Sequence, residues 1–290
     1  MRQSSTLSAL TILIVLLALL AAGTGLLYRG EGSRYQFTTL RGETVEIYGR
    51  GLYRYEPVLM AAQVMPQDAV TLAIGVPLLL VSLWLYRRGS WRGLLLLTGT
   101  LAYFLYTYTS MAFGAAFNEL FLVYVALFSL SVFAFTVAML SVDLRSLAAH
   151  FREGLPRRAI AAFLFVVGGF LSLAWLGRIV PAQLAGEPPI GLATNTTLFI
   201  QVLDLGLVVP LAFLAGVLLL RRRPLGYLLT SVALIKFVTM GLALVAMIVG
   251  QAVAGVPMAA AEVVVFPLIA GTGIVMAYLL LRNVQETSLA

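Results

Sequence analysis

Eight apolar runs, each long enough to cross a bilayer, follow one another along this chain. They cover approximately residues 7–27, 69–86, 93–113, 120–141, 159–180, 198–220, 225–250 and 259–281. At 1.5 Å of rise per residue, a helix needs about 20 mostly apolar residues to span ~30 Å of hydrocarbon. Backbone amides find no water in that layer, so runs of this kind resolve into helices. The sequence predicts an all-α polytopic membrane protein, with one transmembrane domain of about eight helices over residues 1–290. Composition agrees: 61% of residues are hydrophobic and only 11% charged, against roughly a quarter charged in soluble domains.

Arginines set the expected orientation. Arg87, Arg88 and Arg92 follow the second run, and Arg145, Arg152, Arg157 and Arg158 follow the fourth. Arg221, Arg222 and Arg223 follow the sixth, and Arg282 closes the eighth. The alternate short turns near 114–119, 182–197 and 251–258 hold no Lys or Arg. Under the positive-inside rule the arginine-rich turns are cytoplasmic, and so are both termini, the first with Arg2. A cleaved signal peptide is the alternative for the first run, because Ala21-Ala22-Gly23 resembles a cleavage region. That run is longer than a signal core, so an uncleaved helix is expected.

The net charge of +7 raises the question of nucleic acid. The basic residues cluster between apolar runs, where they serve topology, so no nucleic-acid partner is expected; the bilayer is the partner. The chain has no Cys and a single His, His150. Disulfides, thiolate zinc sites, thiol catalysis and a bis-His haem are excluded, and no cofactor or metal site is predicted. Arginine used almost to the exclusion of lysine, with much Ala, Leu and Gly, points to a GC-rich bacterial gene and a cytoplasmic (inner) membrane.

Residues 28–68 form the one long loop, on the extracytoplasmic side. Tyr35–Leu40 and Thr44–Tyr48 are β-branched and aromatic, and Arg41-Gly42-Glu43 and Gly49-Arg50-Gly51 punctuate them. They read as a small β-hairpin or meander, with Leu52–Tyr55 as an optional third strand. Pro57–Gln67 reads as a short interfacial helix, and Asp68 as a cap on the helix after it. Trp175 reads as an anchor at the outer headgroups. No internal repeat is evident, although eight helices permit a four-plus-four arrangement.

Polar groups at depth carry the functional reading. Lys236, the only lysine, lies about eleven residues into the seventh run, near mid-membrane. There it costs at least ~2.5–3.5 kcal/mol and needs protein, water or a counter-ion, so it either pins two helices or serves a ligand. Thr197, Gln201 and Asp204 share one helical face above a kink expected at Pro210. Glu262 lies just before Pro267, where an acid can line a cavity or snorkel outward. Tyr103, Tyr106, Thr107 and Ser110 form a hydroxyl stripe, available to a ligand or to neighbouring helices. Asn118 and Glu119 open the fourth helix, where capping explains them well. Arg178 is the expected partner of Asp204 or Glu262.

Glu119, Arg178, Gln201, Asp204 and Glu262 all fall in the outer half, with Lys236 beneath them. The expectation is a polar cavity open to the outside and floored by Lys236. Binding or transport of a small solute, or of protons, is the leading function. A non-catalytic sensor or accessory subunit contacting another membrane protein comes second. A membrane enzyme on a lipid-linked substrate, with Glu119, Asp204 or Glu262 as acid or base, comes third; the chain lacks a recognisable nucleophile–base pair.

Overall fold

A computed structural model describes residues 4–286 of the chain; Arg2, used above for orientation, lies outside them. The helices in order are α1 Ser5–Leu27, α2 Val58–Arg87, α3 Trp91–Gly114, α4 Phe121–Leu140, α5 Arg157–Ala185, α6 Phe199–Leu220, α7 Pro224–Ala254 and α8 Ala260–Arg282. All but α3 are long and apolar enough to cross a membrane, which makes seven candidate spans among the described residues and a multi-pass membrane protein. Helix α3 is as long as the others, but Tyr and Thr crowd its second half and lower its hydropathy.

Helix α2 differs from expectation. It starts at Val58, so the segment read as an interfacial helix is the first part of the span itself. Pro66 sits inside it without ending it, and Asp68 is therefore a mid-helix residue, not a cap. Before α2, β1 (Tyr35–Thr38) and β2 (Thr44–Ile47) pair antiparallel, Tyr35 opposite Ile47 and Thr38 opposite Thr44. The optional third strand is a turn. Gly49 and Gly51 take left-handed φ values of 77° and 64°, and a Cβ on Gly51 would meet Tyr28 O at 2.5 Å. That tight return against the end of α1 tucks Leu52 and Tyr53 into the core.

The arginine-bearing turns gather at one end of the bundle. His150 stacks on Trp91, Phe151 pairs with Val284, and Arg157 donates to Tyr227 Oη. Both described termini lie there too, since Ser4 N donates to Tyr86 Oη and Glu286 accepts from Ser90. At the opposite end the hairpin loop grips the bundle. Arg54 pairs with Glu119, Glu56 accepts from Ala116 N, and Arg41 donates to Ala193 O and Asn195 O.

The structure reveals an internal repeat that the sequence conceals. Helix α2 carries a π turn at Thr71–Gly75 and α6 carries one at Asp204–Val208, 133 residues later (204 − 71). At that same offset stand Pro77 and Pro210, Gly93 and Gly226, and the starts of α3 and α7. The connecting turns match bond for bond. Ser90 N donates to Leu85 O as Arg223 N does to Leu218 O, and Gly89 and Arg222 both have positive φ. A Cβ on Gly93 would strike the Leu85–Tyr86 backbone, and one on Gly226 the Leu218–Leu219 backbone.

The packing repeats as well. Helix α1 lies against α2, α2 against α3 and α3 against α4, just as α5 lies against α6, α6 against α7 and α7 against α8. Between the halves α3 meets α7, α2 meets α7, and the start of α6 meets α3. Gly99 permits the central approach, since a Cβ there would stand 2.5 Å from Ile235 Cβ. Four helices per half thus repeat one order of neighbours, and the halves meet where α3 packs on α7.

Candidate functional site

The hydroxyl stripe of α3 divides between the two halves. Tyr103 and Thr107 turn to α2, where Tyr103 Oη shares a 2.8 Å hydrogen bond with Thr71 and Thr107 accepts from Gln67 at 3.1 Å. Tyr106 turns the other way, toward α6, and donates to Asp204 Oδ1 at 2.8 Å. Ser110 donates to the Thr107 carbonyl of its own helix. Residues three apart are offset around a helix by about 60°, enough to present Tyr103 and Tyr106 to different neighbours.

Asp204 is the hub of the second half. Its other oxygen, Oδ2, accepts from Trp175 Nε1 of α5 at 2.9 Å. Lys236 of α7 places Nζ 3.8 Å from the centre of the Tyr106 ring, on the ring's electron-rich face. Among the described residues no carboxylate oxygen lies within 4.0 Å of that nitrogen. Lys236 and Asp204 are each 6% exposed. The cluster thus reads Lys236, Tyr106, Asp204, Trp175, drawn from α7, α3, α6 and α5, and it joins the two halves through Tyr106. Asp204 also opens the π turn of α6, a local widening of the kind that often re-aims side chains at functional positions.

By register, Asp204 corresponds to Thr71 and Lys236 to Tyr103. Position for position, the first half closes this pair with a neutral hydroxyl–hydroxyl bond, whereas the second half places an acid and a base there. Two charges in an apolar bundle are costly, and nothing in the repeat's packing demands them, because the first half packs without them.

The remaining sequence candidates do not join the cluster. Gln201, one turn before Asp204, is buried, and its amide has no hydrogen bond among the described residues. Arg178 donates to Ile190 O in the loop before α6; it forms no ion pair within 4.0 Å with Asp204 or Glu262, although it lies close enough to Glu262 to feel its charge. Glu262 is exposed in the first turn of α8 without an ion pair. Glu119 is exposed, and its hydrogen bonds with Arg54 hold its carboxyl below the usual range. No three His, Cys, Asp or Glu among the described residues form a metal-holding group.

Three residues gained roles that sequence reasoning missed. Trp175 was read as an interface anchor, yet it orients Asp204 from 29 residues away, a pairing that no local pattern announces. Tyr53 donates to Asp68 at 2.5 Å, latching the hairpin loop onto α2; Gly25 leaves the room, since a Cβ there would stand 2.1 Å from Asp68 Oδ2. Glu56 is 4% exposed, and burial pushes its carboxyl up to about 7 despite the Ala116 N–H bound at 2.7 Å.

A pocket of about 10 Å³ lies beside Tyr53, and an open one of about 470 Å³ lies at the arginine end. Neither is lined by Lys236, Asp204 or Glu262, so the buried pair Lys236 and Asp204 is not the floor of either. Compared with protein-family models, with curated proteins and with solved structures, the chain matches none.

Proposed function

We propose that this chain is an eight-helix transporter or binding protein of a bacterial inner membrane, with its arginine-rich end in the cytoplasm and the hairpin loop outside. Its working site is the Lys236–Tyr106–Asp204 cluster, which takes up a small solute or protons. The observation that carries this reading is a buried lysine and a buried aspartate that meet at one tyrosine, Lys236 over its ring and Asp204 at its hydroxyl, at the junction of two repeats. Repeat junctions near mid-membrane are where transporters of this architecture bind. Ionisable groups held in hydrocarbon are retained for ion or substrate work.

The burial of both residues favours the proton among the possible cargoes. A proton reaches such a site along side chains, whereas a solute needs the halves to part at the π turns and prolines of α2 and α6. Asp204 now only accepts, one bond to each oxygen. Protonation adds a donor there and weakens its hold on Tyr106 or Trp175. Proton binding is thereby coupled to the contact of α6 with α3 or α5, which lie in different halves.

The test is proton flux into proteoliposomes loaded with a pH-sensitive dye, driven by a potassium diffusion potential. Wild-type protein is expected to acidify the lumen, and Asp204→Asn and Lys236→Met each to slow this at least tenfold while remaining monodisperse. Wild-type vesicles no leakier than protein-free ones, or variants as fast as wild type, would refute the proton reading.

A further inference from the structure

The two halves end differently at the arginine-rich side. At the start of α3 the carboxylate of Glu286 accepts from Ser90 Oγ at 2.7 Å, Trp91 N at 2.9 Å and Arg92 N at 3.2 Å. Free amides and the positive end of the helix dipole make a helix start a natural anion seat. The matching positions at the start of α7, 133 residues later, are Arg223, Pro224 and Leu225.

The chain reaches the two seats in equivalent ways and brings opposite charges. Glu286 lies four residues past the end of α8 (286 − 282). Four and five residues past the end of α4, at Leu140, come Leu144 and Arg145. Together with Leu218, Arg223, Pro224 and Leu225 they line the open pocket of about 470 Å³. Arg145 and Arg223 are exposed, and neither guanidinium has an ion pair or hydrogen bond among the described residues. Asp143, two residues before Arg145, feels the Arg145 charge but spends its oxygens on Ser146 Oγ and Arg145 N. Pro224 lacks the amide that Trp91 offers to Glu286, so at this seat arginine side chains supply the donors.

We propose that this pocket, whose walls are almost wholly apolar, takes the upper acyl chains of an anionic phospholipid, with the headgroup phosphate at its rim beside the exposed Arg145 and Arg223. Arg145 and Arg223 take the phosphate, and Leu144, Leu218 and Leu225 meet the upper acyl chains. It is the second half's counterpart of the Glu286 seat, filled by a diffusible anion where the first half uses a tethered one. Guanidinium forks match phosphate oxygens in pairs. The lipid source follows from the apolar walls, which a free anion would not use, and from their continuity with Leu140 and Leu220, both exposed at the helix ends beside the pocket. Basic pockets between helices at the cytoplasmic level are suited to such headgroups.

The test is lipid retention by the full-length protein in mild detergent, measured by native mass spectrometry with phosphatidylglycerol and phosphatidylcholine. One phosphatidylglycerol is expected to be retained in preference to phosphatidylcholine. The Arg145→Gln/Arg223→Gln variant should bind it about thirty-fold more weakly, as expected for two surface arginines. Arg221→Gln/Arg222→Gln, on the same turn but outside the lining, should bind as wild type. Leu218→Trp, which fills the apolar wall without touching charge, should also lower retention. Equal retention by the Arg145/Arg223 variant would overturn the proposal. Displacement of the lipid by inorganic phosphate alone would also overturn it, as would equal loss in the Arg221/Arg222 control.

Discussion

Glu56 offers a quantitative test of how the hairpin loop is held. Its carboxyl is buried, accepts one backbone N–H from Ala116, and has no cation partner, because the neighbouring Arg54 is engaged with Glu119. Burial lifts it from 4.5 in the open chain to about 7 in the fold. Between those values the folded protein binds the proton more tightly than the unfolded chain does. The stabilisation is therefore complete below about 4.5 and is lost as pH rises through 7. The gap corresponds to roughly 3 kcal/mol at most. Glu56→Gln keeps a carbonyl for the Ala116 N–H but cannot ionise. Thermal unfolding in detergent between about pH 5 and pH 8 should show wild-type stability falling with pH relative to E56Q. The comparison cancels other titrating groups. A wild-type curve parallel to that of E56Q would show that Glu56 is not held as described.

Other substitutions test separate parts of the account. Gly25→Ala puts a methyl into the Tyr53–Asp68 latch and should cost about 1–3 kcal/mol; limited proteolysis should then cut the 28–57 loop faster while the helices stay protected. Gly93→Ala and Gly226→Ala press on equivalent backbone, so they should lower the melting temperature by similar amounts, and one harmless and one severe result would contradict the repeat. Trp175→Phe keeps an aromatic side chain but removes the indole N–H from Asp204, which should cost about 1–3 kcal/mol in thermal unfolding and slow proton flux.

Reading the sequence marked a largely helical multi-pass membrane chain because hydrocarbon imposes a length and a polarity that few other constraints imitate. It failed where tertiary partners decide. The Met- and Ala-rich stretch before Asp68 looked interfacial, yet α2 extends through it. The α3 stripe was legible as a polar face, but not its division between Thr71 and Asp204, which depends on the neighbours either side. Counting residues put Glu119, Arg178 and Glu262 at the depth of Asp204, but depth does not say which way a side chain faces. The repeat was hidden because apolar residues interchange freely in a bundle. What the halves share is a π turn, a proline, a glycine and a turn conformation, and at the one informative pair the identities differ altogether: Thr71 and Tyr103 against Asp204 and Lys236.

That difference supplies the most direct test. Asp204→Thr with Lys236→Tyr writes the first half's neutral pair into the second half. Replacing buried charges by packed neutral groups is often neutral or stabilising. The double variant leaves the Tyr106 and Trp175 donors without Asp204, at about 1–3 kcal/mol each, which the relief of two buried ionisable groups offsets in part; it should therefore fold, melt somewhat below wild type and lose proton flux in proteoliposomes. A double variant that conducts as wild type does would show that Lys236 and Asp204 are structural, and the site proposed here would fall.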